Sequence, residues 1–285
     1  MKTIKVGCLV SYDFAFLKTS LPTFYNYVNE IVLAVDVNRK TWSGKDFIIP
    51  DHFWEWIRIF DRGQKIKIYE DKFFLPELTP MECETRERNL LSMHMGACDW
   101  YIQLDSDEYF VDFKSVFDKL QQFTPIKPVT VRCKLVTLFK QTEAGFLVIK
   151  DSVEPLNFVT NNPVYDIARS NNSGNQQVLW DDIVLHQSWA RSAAEIGIKI
   201  ANWGHRDDFN TYSFYKLWEA IDEFNYSGLS NFHPLDPKTW PGLILWKGSI
   251  EEILESVGRF GLPEGYNAKN KKKPLLSRLW RELKS

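Results

Sequence analysis

The feature that most constrains this sequence is the alternation of short apolar runs with amphipathic segments across its first 105 residues. Residues 4–10, 31–35 and 100–104 are too short for buried helices and rich in β-branched and aromatic side chains, the signature of strands covered on both faces. Residues 66–69 form a briefer run of the same kind. Between them, residues 14–28 are predicted helical despite Pro22, and residues 52–60 form a helix dense in aromatics. A third helix opens with a clear mechanism: Thr79 caps, Pro80 fits the first position, and Glu82 completes a capping box. It is expected to run to about Ala97, with Arg86, Leu90, Met93 and Ala97 on one face. Strand and helix alternating in this way predict an α/β fold with a mostly parallel central sheet flanked by helices. In such sheets ligands bind beyond the carboxyl ends of the strands, so chemistry is expected after Val10, Val35 and Leu104.

The second half is less regular. Residues 129–139 read as a long strand and residues 146–149 as its partner. Residues 157–174 are rich in loop-forming Asn, Ser and Gly, and helices return at Ala193–Asn202 and at residues 212–224. The chain carries 11 Trp and 20 Phe, more than a core of this size needs; most are expected to be core, but such rings also suit carbohydrate faces. A formal net charge of -2 leaves no basic footprint for nucleic acid. The four cysteines lie far apart with no Cys-x-x-Cys pair, which reads as reduced, buried thiols. The first residues enter a strand directly, without a signal-peptide core, and no apolar run approaches the roughly 20 residues of a membrane span. These features together predict a cytoplasmic protein.

The third expected site holds the densest chemistry. Asp105, Asp107 and Glu108 follow directly on a buried strand, and three carboxylates there repel one another unless a cation sits among them. A hard divalent ion, Mg²⁺ or Mn²⁺, is the natural occupant, because such ions bind one or two carboxylates together with substrate phosphates. A solvated acidic turn is the plainer alternative.

Here the chain resembles a known family. The segment Arg88-Asn89-Leu90-Leu91, then Gly96-Ala97-Cys98-Asp99-Trp100, then Leu104-Asp105-Ser106-Asp107-Glu108-Tyr109-Phe110, is similar to the signature of family-2-type glycosyltransferases. The likeness is to the bacterial branch in which Asp-x-Asp is followed by Glu and an aromatic. The resemblance implies a GT-A, Rossmann-like domain over residues 1–260. Residues 1–110 would hold the nucleotide-sugar and residues 111–260 the acceptor, with terminal helices. It further implies that Asp107 ligates a metal bridging the donor diphosphate, with Asp105 its partner. Tyr12, Asp13 and Asp36 fall where the family holds the nucleoside, alongside Arg88 and Asn89. The turn after Asp36 departs from the family pattern, which leaves UDP preferred over GDP only by analogy.

A second block, Leu185-His186-Gln187-Ser188-Trp189-Ala190-Arg191-Ser192 with Glu195 and Lys199, is similar to the segment that follows the acceptor region in the same branch. A histidine there is a further metal ligand or a diphosphate donor, and Arg191 and Lys199 supply positive charge for the leaving group. His205, Asp207 and Asp208 are weaker candidates of the same kind. The acceptor hydroxyl needs a base; Asp181 and Asp182 are the expected pair, with Glu108 as the alternative. Trp180 and Trp189 are candidate stacking surfaces for a sugar. The resemblance implies inverting transfer to a saccharide or lipid-linked acceptor in surface polysaccharide or lipopolysaccharide synthesis. A non-catalytic carbohydrate-binding protein and a metal-dependent phosphohydrolase are the competing classes. A nucleotidyltransferase fits less well, since the loop after the first strand has no Gly-rich, Arg-containing sequence. Within a tail at 261–285, residues 269–285 form a basic amphipathic stretch that suits either an anionic membrane surface or the protein's own surface.

Overall fold

The computed structural model describes residues 1–285 except 153, 172–173, 203–208, 264–265 and 267–285. The basic tail at 269–285 and the candidates His205, Asp207 and Asp208 therefore lie outside the described residues.

The alternation of the first half builds the expected architecture. Strands β1 (Ile4–Leu9), β2 (Glu30–Asp36), β3 (Ile66–Asp71) and β4 (Trp100–Asp105) lie parallel in the order β4-β1-β2-β3. Helix α1 (Leu17–Phe24) is extended at both ends by 3₁₀ turns, and α2 (Asp51–Phe60) and α3 (Pro80–Met95) make the crossovers. Pro22 is tolerated because α1 is only eight residues long, so few of its amides need an intrahelical acceptor. The Thr79–Glu82 capping box opens α3 as predicted. Its buried face is formed by Cys83, Glu87, Arg88, Leu91, Ser92 and Met95, whereas Met93 is exposed. The predicted face was wrong because buried ionic residues, not only apolar ones, define it. Close packing of α3 on the sheet depends on Gly7: a Cβ there would stand 2.7 Å from Leu91 Cδ2.

From β4 outward the sheet becomes mixed, its described pairings antiparallel except for one parallel pair made by its last long strand. Its long spine is β6 (Val129–Thr142), which pairs with β7 (Gly145–Ile149), β8 (Glu154–Thr160) and β9 (Gln176–His186). β8 also joins β4, and β10 (Leu243–Lys247) extends the far edge beside β7. The short β5 (Glu108–Phe110) pairs with the end of β9. Helices α4 (Phe113–Gln122), α5 (Ala193–Asn202), α6 (Thr211–Ala220) and α7 (Ile250–Phe260) complete the described elements. Residues 157–160, expected as loop, are strand because β8 fills the gap between β4 and β6. The expected surplus of aromatics is largely core: Phe139, Trp189, Phe214, Trp218, Phe232 and Trp240 pack against one another beneath α6. All four cysteines are free. No helix among the described residues is long and apolar enough to cross a membrane.

Candidate functional site

The acidic triplet straddles a turn. Asp105 ends β4, Ser106 and Asp107 make the reversal, and Glu108 begins β5. The Ser106 hydroxyl donates to the Leu9 carbonyl at 2.9 Å and Ser20 donates to the Glu108 carbonyl at 2.8 Å, so the turn is pinned over the end of β1. The reversal sends neighbouring side chains in different directions. The three carboxylates consequently belong to two separate charge clusters.

The first cluster is the more fully paired, with only one Arg88 terminal nitrogen buried and lacking a hydrogen-bond partner. Glu108 is fully buried and receives both Arg169 terminal nitrogens, at 2.6 and 2.5 Å, together with the Asp105 amide at 2.9 Å. Asp105 accepts from Arg88 at 2.7 Å, with Arg169 3.8 Å away, and Arg88 is held in turn by Glu84. Burial disfavours the Asp105 charge, but Arg88 and Arg169 overcome it and hold the carboxyl below its ordinary range. Bidentate guanidinium–carboxylate geometry of this kind fixes groups rather than leaving them free to react. Glu108 is thereby removed from consideration as a base.

Arg169 was not singled out by sequence reasoning. It is aimed by a loop that Asn89 ties to α3, its side chain both donating to the Tyr165 carbonyl and accepting from the Tyr165 amide at 3.0 Å. Thr85 accepts the amide of Ala168, which has a positive φ of 45°. Asn89 thus positions a loop in this structure. The signal was present, since Arg169 is the sole Lys or Arg between Lys150 and Arg191.

The second cluster is open in character. Asp107 is buried and its Oδ2 pairs with Arg191, while Oδ1 faces His186 Nε2 at 3.5 Å. Asp13, in the loop after β1, lies 3.4 Å from the same Arg191 nitrogen. Burial opposes the Asp107 charge, yet His186 and Arg191 outweigh it and hold the carboxyl well below its ordinary range. Asp13 goes the other way: burial, reinforced by Asp107, raises it against the pull of Arg191. Lys199 is buried among these charges, and burial together with Arg191 brings its ammonium down to about 8. Tyr12 borders the group, its phenol raised by burial and by Asp13.

The local sequence explains how the cations arrive. Gln187 binds the Asp107 carbonyl through its amide at 2.9 Å and accepts from Tyr109 at 2.8 Å, locking the segment after β9 to the turn. Ser192 and Glu195 then form a capping box that starts α5, and Lys199 lies one turn further on. Arg191 lies over the Phe16 ring, with its Nε and one terminal nitrogen buried and lacking a hydrogen-bond partner. Buried donors left in this way carry a desolvation cost that an incoming anion would remove.

Other expected residues are placed elsewhere. Asp181 is exposed and pairs with Lys134; Asp182 takes Lys119 and Ser115. Asp182 lies four residue steps along the strand from His186, roughly 13 Å at strand spacing. These two acids are therefore corrected from candidate base to structural ion pairs. Asp36 is buried, but both its oxygens accept backbone amides, from Asn38 and Lys40 on one side and Phe73 and Phe74 on the other. It organises two loops, not a nucleoside. Trp189 is buried edge-on against Phe214, and Trp180 packs on Phe123 beneath Lys119, so neither offers a free face to a sugar at this site. A hollow of about 180 Å³ lies between α5 and α6, lined by Ile200, Tyr212 and Tyr215.

Among the described residues, no group of three or more His, Cys, Asp and Glu side chains is arranged around a common metal position. Asp105 is withdrawn as a ligand by its arginines. Asp107 and His186 remain a donor set suited to Mn²⁺ or Mg²⁺ only where a diphosphate supplies further oxygens.

No protein-family model matches the chain, and no curated protein matches it. Among solved structures, the chain is similar to S. aureus TarS 1-349 at 11% identity and a TM-score of 0.30, covering 50% of this chain and 36% of that one. It is similar to a Pyrobaculum calidifontis mannosyltransferase, PcManGT, solved with GDP-Man and Mn²⁺, at 8% identity and a TM-score of 0.43. That likeness covers 77% of this chain and 69% of the other. A third likeness, to a 4-diphosphocytidyl-2C-methyl-D-erythritol synthase from Anaerococcus prevotii, has 11% identity and a TM-score of 0.29, covering 76% of this chain and 83% of that one. The chain spans about a third of the TarS structure's length.

Proposed function

We propose that this protein is a GT-A-type glycosyltransferase that transfers a sugar from a nucleotide-sugar to an acceptor hydroxyl. One observation carries the reading. Buried Arg191, with two unpartnered N–H donors, stands beside buried Lys199, Asp107 and His186 at the carboxyl ends of β1 and β4. That is the place where an α/β sheet binds ligands, and the missing partner of those donors is an anion. A diphosphate accompanied by a divalent ion suits those donors and the carboxylate beside them.

Arg191 and Lys199 bind and orient the diphosphate and share the charge that develops as it departs. Asp107 and His186 hold a divalent ion, which when bound supplies Lewis-acid neutralisation of the same charge. Asp13 approaches the same Arg191 nitrogen as Asp107 and helps set its position. A UDP-sugar donor, a saccharide or lipid-linked acceptor and inversion of the anomeric centre complete the proposal. They rest on the sequence resemblance.

The test is calorimetric titration of UDP and of GDP with and without Mn²⁺, repeated on Asp107→Ala. Binding of one nucleotide that needs both Mn²⁺ and Asp107 is expected. Failure of both nucleotides to bind a demonstrably folded protein would overturn the proposal.

A further inference from the structure

Arg191 is more than an extra cation beside the donor. Its terminal nitrogen is paired with Asp107 Oδ2, the carboxylate assigned to hold the divalent ion, and it also lies 3.4 Å from Asp13. Asp107 is therefore neutralised before any ligand arrives. The remaining oxygen, Oδ1, faces His186 at 3.5 Å, longer than a good hydrogen bond. A bare dication approaching that oxygen meets the guanidinium charge at close range in a buried site, where little solvent screens the repulsion. A nucleoside diphosphate changes the balance. Its oxygens satisfy the unpartnered Nε and terminal nitrogen of Arg191 and offer the ion the ligands that Asp107 and His186 do not supply.

We infer that Arg191 is a counter-ion gate: it occupies Asp107 in the free protein and excludes divalent metal until a diphosphate arrives with it. Metal and nucleotide then bind with positive coupling, each raising the affinity of the other by the same factor. The inference rests on the proposed donor site and adds an order to it. Free protein holds neither ion nor nucleotide alone with useful affinity. A metal-loaded resting state is excluded.

The experiment is equilibrium dialysis of Mn²⁺, counting protein-bound metal, with and without UDP or GDP, on the full chain and on Arg191→Met, Arg191→Lys and Asp107→Asn. Circular dichroism melting confirms that each variant folds. The wild type is expected to retain little Mn²⁺ alone and to bind it about tenfold or more tightly with one of the nucleotides. Arg191→Met should take up Mn²⁺ without nucleotide and lose most of the coupling. Arg191→Lys, which keeps a cation in place, should behave like the wild type even if Arg191→Met fails to fold. Asp107→Asn should bind no Mn²⁺ in either condition. Equal Mn²⁺ affinity of the free wild type and Arg191→Met would overturn the gate while leaving the donor site standing. Absence of Mn²⁺ binding in every variant, with or without nucleotide, would overturn both.

Discussion

Two buried charge clusters lie on either side of one two-residue turn, and they are built to opposite ends. Around Asp105 and Glu108, three carboxylates counting Glu84 meet two arginines, and each of the three is paired with a guanidinium. Around Asp107, two carboxylates meet Arg191 and Lys199 with His186 alongside, and Arg191 keeps donors without a partner. The first cluster has an excess of anions and its arginines clamp it. The second balances its charges and still has donors to give. The contrast teaches that an acidic triplet is not one site: the turn divides it into a foundation and a working face.

The largest expected effect comes from breaking the foundation. Arg169→Met leaves Glu108 as a buried charge without its guanidinium, which costs about 3–5 kcal/mol, a fall on the order of 10 °C in melting temperature by calorimetry. Breaking the working face should look different. Asp107→Asn is expected to lower transfer activity by about 10²–10³-fold, while thermal stability falls less than in Arg169→Met. Equal stability losses in the two variants would erase the distinction between the clusters.

A further buried acid sharpens the contrast, because its hydrogen-bond partner is an indole. Glu87 accepts the Trp42 N–H at 2.6 Å, and burial, partly offset by that bond, pushes its carboxyl up from 4.5 to about 8. In the unfolded chain the group has lost its proton well below that value. Between pH 4.5 and about 8 the folded state therefore holds a proton that the unfolded state does not, so stability falls as pH rises through this window and levels off above it. Glu87→Gln should flatten the profile, gaining a few degrees over the wild type near pH 9, on the order of 1–2 kcal/mol, and nothing near pH 4.5. Thermal melts across this pH range check it. The smallest effect belongs to Asp181→Ala. This exposed pair with Lys134 contributes about 0–1 kcal/mol, and activity should not change.

Much of this was legible from local pattern. The capping box at Thr79 and the parallel strands of the first half follow from short-range spacing, and the fold places them as expected. What stayed hidden depends on long-range pairing. Strand β8 lies in a stretch whose Asn and Pro content suggests loop, and only its position between β4 and β6 makes it a strand. Asp181 and Asp182 look close to His186 in sequence, but an extended strand carries them away. Arg169 gains its meaning solely from where the intervening chain turns. Asp36 shows the reverse case, a carboxylate in the expected place whose oxygens are taken by backbone amides.

The counter-charges of Glu108 and Asp107 also come late in synthesis. Arg169 follows Glu108 by 61 residues and Arg191 follows Asp107 by 84. Asp105 has Arg88 at hand from the start, while at about 5–20 residues per second Glu108 and Asp107 wait several seconds for their guanidinium groups. During that interval β4 also has one edge open, because β8 has yet to be made. The open edge of the parallel half is covered only once residues 154–160 have emerged, so that half of the sheet depends on chain made well after its own last strand.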